Sequence, residues 1–205
     1  MKVLMLNGSP NKGGNTAHAL GVMEEIFRAE GAEVEIVQVG SSTVRGCIGC
    51  RACRTKGKCV FDDIVNEIGE KLKTADALIL GSPVYYASPN GTLLACLDRL
   101  FYSTSFDLTM KVGASVAVAR RGGTTATLDA LNKYFGITGM PIATSTYWNM
   151  YHGKAPEGVE DDEEGLQTLR NLARNVVFLA RSIALGREKY GLPEKEPKVR
   201  TNFIR

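Results

Sequence analysis

Residues 3–16 have the sequence VLMLNGSPNKGGNT, and this stretch decides how the rest of the chain is interpreted. The first four residues form a short apolar run that turn residues terminate, which is typical of a buried β-strand. A helical pattern follows at once, with apolar residues at helical spacing from Ala17 to Phe27. The sequence therefore predicts a strand, a polar loop and a helix in immediate succession.

The polar loop between this strand and helix is a candidate phosphate site. Backbone N–H groups and the positive end of the helix dipole converge at a helix N-terminus. The hydroxyls of Ser9 and Thr16 add further donors. The alternative is an ordinary turn capped by Asn15. We favour the phosphate hypothesis, because the loop carries more hydroxyl and amide donors than a turn requires.

Two common nucleotide-binding loops do not match this stretch. A Walker A loop needs Gly-Lys followed by Ser or Thr, whereas Lys12-Gly13 has the reverse order. A dinucleotide-binding loop needs G-x-G-x-x-G and an acidic residue at the end of the second strand. The predicted second strand, residues 33–39, leads instead into Gly40-Ser41-Ser42. A mononucleotide such as FMN remains the best candidate ligand.

Composition limits the remaining classes of protein. The chain has 205 residues, which suits one domain, and a net charge of +3, too small to indicate a nucleic-acid partner. No apolar run approaches the length of a membrane span. The N-terminal apolar stretch lacks a small-residue cleavage site, so we expect a cytoplasmic protein whose five cysteines are reduced or metal-bound.

Short apolar strands alternate with helices along the whole chain. The predicted strands are residues 3–6, 33–39, 77–80, 112–119 and 141–146, and the later helices are 62–74, 92–101, 125–135 and one starting in the acidic run 161–164. This alternation predicts an α/β fold with a parallel sheet covered on both faces. We expect one domain over residues 1–188, with a cysteine-rich loop at 40–61, and a C-terminal tail over 189–205.

Four polar, glycine-rich or aromatic loops follow the predicted strands: residues 7–15, 40–61, 81–91 and 120–124. Ligands of such sheets bind outside the carboxyl ends of the strands, so the four loops predict a single site. Tyr85 and Tyr86 suit a flat heteroaromatic ring, unless both pack in the core. Gly122 and Gly123 allow backbone to approach a ligand closely. Arg120 either faces a phosphate or a negatively charged flavin, or is solvated.

Three motifs resemble the NAD(P)H-dependent FMN reductase family of flavodoxin-like proteins. They are the loop from Gly8-Ser9-Pro10-Asn11 to Asn15-Thr16, the segment Gly81-Ser82-Pro83-Val84-Tyr85-Tyr86, and Leu97-Asp98-Arg99. The resemblance covers about residues 1–150. It implies a three-layer α/β/α sandwich with a five-stranded parallel sheet in the order 2-1-3-4-5. It also implies NAD(P)H as electron donor and a homodimer or homotetramer with flavin sites near the subunit contacts.

The same resemblance implies the residues that hold FMN. The phosphate is expected on Ser9, Asn11, Asn15 and Thr16. The isoalloxazine is expected against Pro83, Val84, Tyr85 and Tyr86 on one side, and against Arg120, Gly122 and Gly123 on the other. Trp148 and His152 follow the last predicted strand. Both could line the entrance for the nicotinamide or the acceptor. The alternative for His152 is a solvated or capping residue.

Four cysteines, Cys47, Cys50, Cys53 and Cys59, have the spacing C-x2-C-x2-C-x5-C. This pattern resembles the iron–sulfur flavoproteins of the same superfamily, in which four cysteines hold a 4Fe–4S cluster. Four thiolates close in sequence can surround a cubane, and neighbouring Arg and Lys residues would offset its negative charge. Zinc, structural thiols and a redox disulfide are the alternatives. The fifth cysteine, Cys96, lies in a predicted helix and is expected to be buried and inert.

The leading functional hypothesis is an FMN-dependent oxidoreductase that passes electrons from NAD(P)H to a small molecule or a protein. The cofactor supplies the chemistry of hydride transfer, which agrees with the lack of a catalytic acid–base constellation. The alternative is an iron–sulfur flavoprotein that transfers electrons with a ferredoxin-like partner. A non-enzymatic carrier of the flavodoxin type is a further rival. The slightly basic composition counts modestly against it, because flavodoxin-type carriers are usually acidic around the flavin.

Overall fold

The structure is a computed structural model that describes residues 1–153, 162–197, 199–201 and 203. The strands are β1 (Lys2–Asn7), β2 (Glu33–Gln38), β3 (Ala77–Tyr85), β4 (Ser88–Pro89), β5 (Val112–Ala119) and β6 (Met150–His152). The helices are α1 (Asn15–Ala29), α2 (Cys53–Lys56), α3 (Ile64–Thr74), α4 (Gly91–Ser103), α5 (Thr124–Ile137) and α6 (Glu163–Tyr190).

The sheet has the order β2-β1-β3-β5-β6, and all of these neighbours are parallel. The short strand β4 pairs antiparallel with the end of β3. Counted as parallel strands, the order is the predicted 2-1-3-4-5, so the flavodoxin-like fold class is confirmed. The carboxyl ends of β1, β3 and β5 therefore lie side by side at one edge of the sheet.

Alternate residues of the central strands feed two separate cores. Val3 and Met5 of β1 point into the core under α1 and α6, whereas Leu4 and Leu6 point into the core under α3, α4 and α5. Successive side chains of a strand point to opposite faces, so a strand buried on both sides must be apolar throughout. This explains the continuous apolar runs in the sequence and gives the predicted three-layer sandwich.

The strand predicted over residues 141–146 is wrong over most of its length. Only Ile142 forms an isolated parallel bridge, with Gly113, and the fifth parallel strand is β6. Polar contacts with α6 hold the intervening segment away from the sheet. Ser145 donates its hydroxyl to the carbonyl of Thr168 at 2.6 Å, and the carbonyl of Thr144 accepts from the side chain of Asn175 at 2.7 Å.

The third strand is longer than predicted, because it continues through the segment 81–85 that was interpreted as a loop. The β1 pairing ends at Gly81, and beyond it Pro83 pairs only with β5, opposite Val118. A proline is tolerated at such an edge position, where its missing N–H has no partner strand to face. The chain then reverses at Tyr86 and Ala87 into β4.

The last helix begins as the acidic run predicts. Asp162 is the N-cap and accepts from the N–H of Gly165, and Glu163 and Glu164 occupy the first turn. Asp161 lies outside the described residues. The helix ends at Tyr190, two residues inside the segment predicted as tail. No helix in the described part of the chain has the length and apolar character needed to span a membrane.

Candidate functional site

The loop after β1 is fixed by its own short polar side chains. The N–H groups of Ser9, Asn11 and Gly13 each donate to the side chain two residues earlier, at 3.0, 3.1 and 3.1 Å. Ser9 is buried, and Asn11 is exposed. These bonds hold the loop in one conformation.

Residues at the end of β2 hold this loop from the other side. The Gln38 amide accepts from Asn7 Nδ2 at 2.8 Å and donates to the carbonyl of Ser9. A Cβ at Gly40 would lie 2.2 Å from the carbonyl carbon of Ser9, so only glycine fits there. Sequence reasoning missed Gln38, although an amide at the end of the second strand, beside the predicted loop, was a usable signal.

The N-terminus of α1 has no capping side chain. The N-cap residue is Gly14 rather than Asn15, and no acidic residue lies in the first turn. Thr16 is buried, and the buried Oδ1 of Asn15 has no hydrogen-bond partner among the described residues. Rotation of the amide exchanges this acceptor for two donors. An uncapped helix end with buried polar groups fits a phosphate, which would satisfy both.

The aromatic hairpin and the loop after β5 contact each other. Tyr86 and Ala87 have left-handed φ angles of 51° and 58°. Gly123 has φ +92°, and a Cβ there would lie 2.8 Å from Ala87 Cα. Both Tyr85 and Tyr86 are exposed, so neither packs in the core. The structure thus leaves two aromatic side chains at this edge, available to a planar ligand.

Three of the four predicted loops meet at the carboxyl edge of the sheet. Gly8 donates its N–H to the carbonyl of Gly81 at 2.8 Å. This bond joins β3 to the loop after β1, residues 8–14, which is the candidate phosphate loop. His152 Nε2 lies 2.9 Å from the carbonyl of Arg121, which joins β6 to the loop after β5. Arg120 and Gly122 of that loop are exposed, and neither Arg120 nor Arg121 forms an ion pair within the described residues.

The residues proposed for the entrance have different environments. Trp148 is exposed and lies edge-on to Tyr147, with ring centroids 5.0 Å apart. His152 is partly buried, and its backbone N–H donates to Asp162 at 2.7 Å. The backbone of His152 therefore links β6 to the start of α6, and the entrance role of its side chain stays a prediction.

The cysteine loop begins at this edge and then leaves it. Gly40 packs on the phosphate loop, but the cysteines contact the second half of α4, where Cys53 Sγ lies 3.8 Å from the carbonyl of Tyr102. Tyr102 is twelve residues beyond the N-cap Asn90, about 18 Å along the helix. The expectation that all four loops meet holds for Gly40 and fails for the cysteines, which lie together at a separate place along α4.

All four predicted ligands line one open cavity. Cys47 and Cys50 are exposed, and Cys53 and Cys59 are partly buried. The cavity is lined further by Ile48, Val60, Phe61, Arg99 and Tyr102. The sequence thus predicted correctly that these four thiols lie together.

Zinc and a 4Fe–4S cluster need different arrangements of the four thiols. A zinc ion needs its sulfurs about 2.3 Å from one point. Among the described residues, no three His, Cys, Asp or Glu side chains are placed to hold a single metal ion. A cubane takes one thiolate at each of four corners, which four thiols that line one cavity can supply. Burial raises the pKa of the Cys96 thiol to about 12, which keeps this fifth cysteine protonated and apart.

One buried ion pair holds the base of this cavity. The Arg99 guanidinium donates from its two terminal nitrogens to both carboxylate oxygens of Asp63, at 2.7 and 2.9 Å. Burial lowers the pKa of Arg99, but hydrogen bonds with Asp63 and Cys59 outweigh it and leave the pKa above its ordinary value. Asp63 is also the N-cap of α3 and accepts from the N–H of Val65. Its pairing with Arg99 was missed, because the two residues lie far apart in sequence.

The fold and the first site define a class of protein. A parallel sheet in this order, with a polar loop after β1 and an aromatic hairpin after β3, defines a flavodoxin-like domain. The family model of the NADPH-dependent FMN reductases matches residues 1–155. The chain belongs to this family of flavin-based oxidoreductases.

Comparison with individual proteins adds relatives that are named for a second cofactor. The chain is 36% identical over 191 residues to an iron–sulfur flavoprotein of Methanocaldococcus jannaschii, covering 89% of this chain and 99% of that protein. It is 32% identical over 193 residues to the iron–sulfur flavoprotein of Methanosarcina thermophila, covering 92% and 100%.

Solved structures support the fold. RosB, in a crystal structure with bound 8-demethyl-8-formylriboflavin-5'-phosphate, aligns with a TM-score of 0.72 at 17% identity, covering 100% of this chain and 94% of that one. The NADH:FMN oxidoreductase EmoB aligns with a TM-score of 0.64 at 18% identity, covering 88% and 89%.

Proposed function

We propose that the protein is an FMN-dependent oxidoreductase that takes electrons from NAD(P)H and passes them to a small-molecule or protein acceptor. The observation that carries this proposal is the uncapped N-terminus of α1 at the same sheet edge as the exposed aromatic hairpin. Membership of the FMN reductase family supports it. We also propose a cytoplasmic location, because reducing conditions keep the four loop thiols available.

The phosphate end of FMN would be held by the loop after β1. Ser9 and Thr16 would donate their hydroxyls, Asn11 and Asn15 would donate their side-chain amides, and the helix dipole would favour the negative charge. Gln38 accepts from Asn7 and donates to the carbonyl of Ser9, and these bonds fix the loop before any ligand arrives. Binding would therefore cost little ordering of the backbone.

The ring end of FMN would lie between the hairpin and the loop after β5. Pro83, Val84, Tyr85 and Tyr86 would flank one side, and Arg120, Gly122 and Gly123 would present backbone groups and one positive charge on the other. Bound FMN supplies acceptance of a hydride from a nicotinamide and its later release as electrons. The chain's own contribution would be to orient the two rings and to exclude water between them.

A second candidate function follows from the charges around the cysteine cavity. The loop carries Arg45, Arg51, Arg54, Lys56 and Lys58, and no acidic residue lies between Glu35 and Asp62. A 4Fe–4S cluster held by Cys47, Cys50, Cys53 and Cys59 would supply one-electron transfer. The exposed basic rim suits docking of an acidic redox protein, such as one of ferredoxin type. In this alternative the protein is an electron-transfer iron–sulfur flavoprotein.

Self-association is part of the proposal. Phe178, Leu185 and Tyr190 are exposed on α6, which is more apolar surface than a long solvent-facing helix needs. We infer a homodimer or homotetramer, which a sedimentation-velocity experiment would resolve.

Rapid mixing without oxygen tests the donor. FMN-loaded protein is mixed with NADPH or with NADH, and loss of the oxidised flavin absorbance is followed. The proposed oxidoreductase shows a saturable rate with at least one of the two nucleotides. Loaded protein that neither nucleotide reduces, but that a reduced acidic redox protein does reduce, would favour the electron-transfer alternative.

A further inference from the structure

Arg99 lies under the cysteine cavity and contacts four groups there, one of which is the backbone carbonyl of Arg45, 3.3 Å from its Nη1. Its side chain is 1% exposed, and its Nε lies 3.2 Å from Cys59 Sγ. Its terminal nitrogens hold both carboxylate oxygens of Asp63. The guanidinium carbon lies 5.0 Å from the centre of the Phe61 ring. A buried cation is thus aimed at one of the four sulfurs of the cavity.

We propose that Arg99 is a positioning residue for the cluster ligand Cys59, and that its Nε–H raises the reduction potential of the 4Fe–4S cluster. The inference rests on the proposed cluster, but it concerns a residue that the ligand pattern does not include. Asp63 completes the device by fixing the plane of the guanidinium.

Only arginine can make these contacts together. Its planar fork offers two parallel donors to a carboxylate while the Nε–H points to one side, whereas lysine has a single point charge on a flexible stem. Asp63 cannot move away with the guanidinium, because the carboxylate also accepts from the N–H of Val65 at 3.1 Å as the N-cap of α3. The direction of the Nε–H toward Cys59 is therefore fixed by the fold.

The expected effect on potential follows from charge. Reduction adds one electron and no proton, so the cluster and its thiolates gain one unit of negative charge. A hydrogen bond from a cationic donor strengthens as the accepting sulfur becomes more negative, so it favours the reduced form. Removal of the Nε–H donor should therefore make the cluster harder to reduce.

The test compares two substitutions that both conserve charge. Arg99→Lys removes the Nε–H donor and keeps a cation. Arg45→Lys is the matched control: the Arg45 guanidinium lies 4.7 Å from the same Phe61 ring but donates to no cysteine within the described residues. Reconstituted proteins are titrated with dithionite and a mediator set, and the reduced cluster is quantified by electron paramagnetic resonance.

We expect a specific difference. At the wild-type midpoint, the ratio of reduced to oxidised cluster should fall about fivefold in Arg99→Lys, the worth of one hydrogen bond of ~1 kcal/mol. It should stay unchanged in Arg45→Lys. An iron-loaded Arg99→Lys protein with the wild-type midpoint would overturn the inference while leaving the cluster itself established.

A second readout does not depend on the variant folding. In wild-type protein labelled with 15N-arginine, pulsed electron paramagnetic resonance of the reduced cluster should show one weakly coupled arginine nitrogen. Where Arg99→Lys folds, that coupling should be lost, and Arg45→Lys should keep it. Absence of any arginine coupling in wild-type protein would overturn the role of Arg99. Wild-type protein that takes up no iron on anaerobic reconstitution would instead refute the proposed cluster, and this role with it.

Discussion

The carboxyl edge of the sheet and the cysteine cavity are assembled in different ways. The edge is held by bonds between near neighbours, such as the turns from Asn7 to Gly13, and by close backbone approaches at Gly40 and Gly123. The cavity is held by polar side chains of two helices: Arg99 of α4 pairs with Asp63, the cap of α3, and Asn66 of α3 bonds the backbone of Cys59. The edge is therefore built mainly from backbone that the fold brings together, whereas the cavity depends on a few polar side chains of α3 and α4.

If the two regions are independent, loss of one cysteine should empty the cavity and leave the edge unchanged. Cys50 is exposed, so Cys50→Ala should abolish iron binding, from about four irons per chain to almost none, with little effect on folding. FMN content should remain that of wild type. The measurement is iron, sulfide and flavin analysis of protein purified without oxygen.

Cys96→Ala is the matched control, because this thiol is buried in α4 and protonated. It should keep its full iron content. Equal loss of flavin and iron in Cys50→Ala would show that the two regions are one site.

The buried pair predicts the largest effect on stability. Asp63→Ala leaves the Arg99 charge buried without its partner and removes the cap of α3, so the free energy of unfolding should fall by about 3 kcal/mol or more. Asp98→Ala, which removes only an exposed contact with Tyr134, should cost about 1 kcal/mol or less. Urea unfolding followed by circular dichroism measures both. Similar losses for the two variants would mean that the pair does not secure the cavity.

Substitutions at the phosphate loop should reduce FMN binding and leave iron binding unchanged. The double substitution Asn15→Ala and Thr16→Ala should weaken FMN binding by about 10- to 100-fold, the worth of one or two hydrogen bonds to a charged group. Iron content should not change. Titration of apoprotein with FMN, followed by quenching of flavin fluorescence, gives the dissociation constant.

Thr92→Ala, at the second position of α4 as Thr16 is of α1, is the control and should bind FMN as wild type does. Unchanged FMN affinity in the double variant would remove the phosphate assignment.

The smallest predicted effect is a gain in stability. Tyr86 adopts a left-handed φ of 51°, which costs an ordinary residue about 1–2 kcal/mol and which Asn tolerates. Tyr86→Asn should therefore raise the free energy of unfolding by about 0.5–1 kcal/mol while slowing reduction of the flavin by NAD(P)H. Thermal unfolding and rapid mixing measure the two effects. A variant that is less stable, yet as active as wild type, would deny Tyr86 a role at the ring.

The sequence predicted the elements that local pattern determines. The strand, loop and helix of residues 3–29 and the strand 112–119 are found as expected, because apolar periodicity and turn residues specify them. The strand over 141–146 was wrong, because contacts from α6 decide where that segment meets the sheet. Such contacts join residues more than twenty positions apart, and no local pattern records them.

For the candidate site, too, the sequence predicted what local spacing determines and missed what long-range contacts determine. The spacing of Cys47, Cys50, Cys53 and Cys59 was enough to predict that the thiols lie together. The distance between the thiols and the phosphate loop was not predicted, because it depends on how far the cysteine loop runs along α4. The Arg99 contact with Cys59 was also beyond the sequence, since 40 positions separate the two residues.

The most direct test of the two proposed cofactor sites is the cofactor content of wild-type protein that is purified and reconstituted without oxygen. If both sites are occupied, each chain should hold about one FMN, four irons and four sulfides, and the spectrum should show flavin bands with a broad additional shoulder in the blue. Flavin without iron would leave an FMN reductase with structural thiols and contradict the second site. Protein that takes up neither FMN nor iron would contradict both sites.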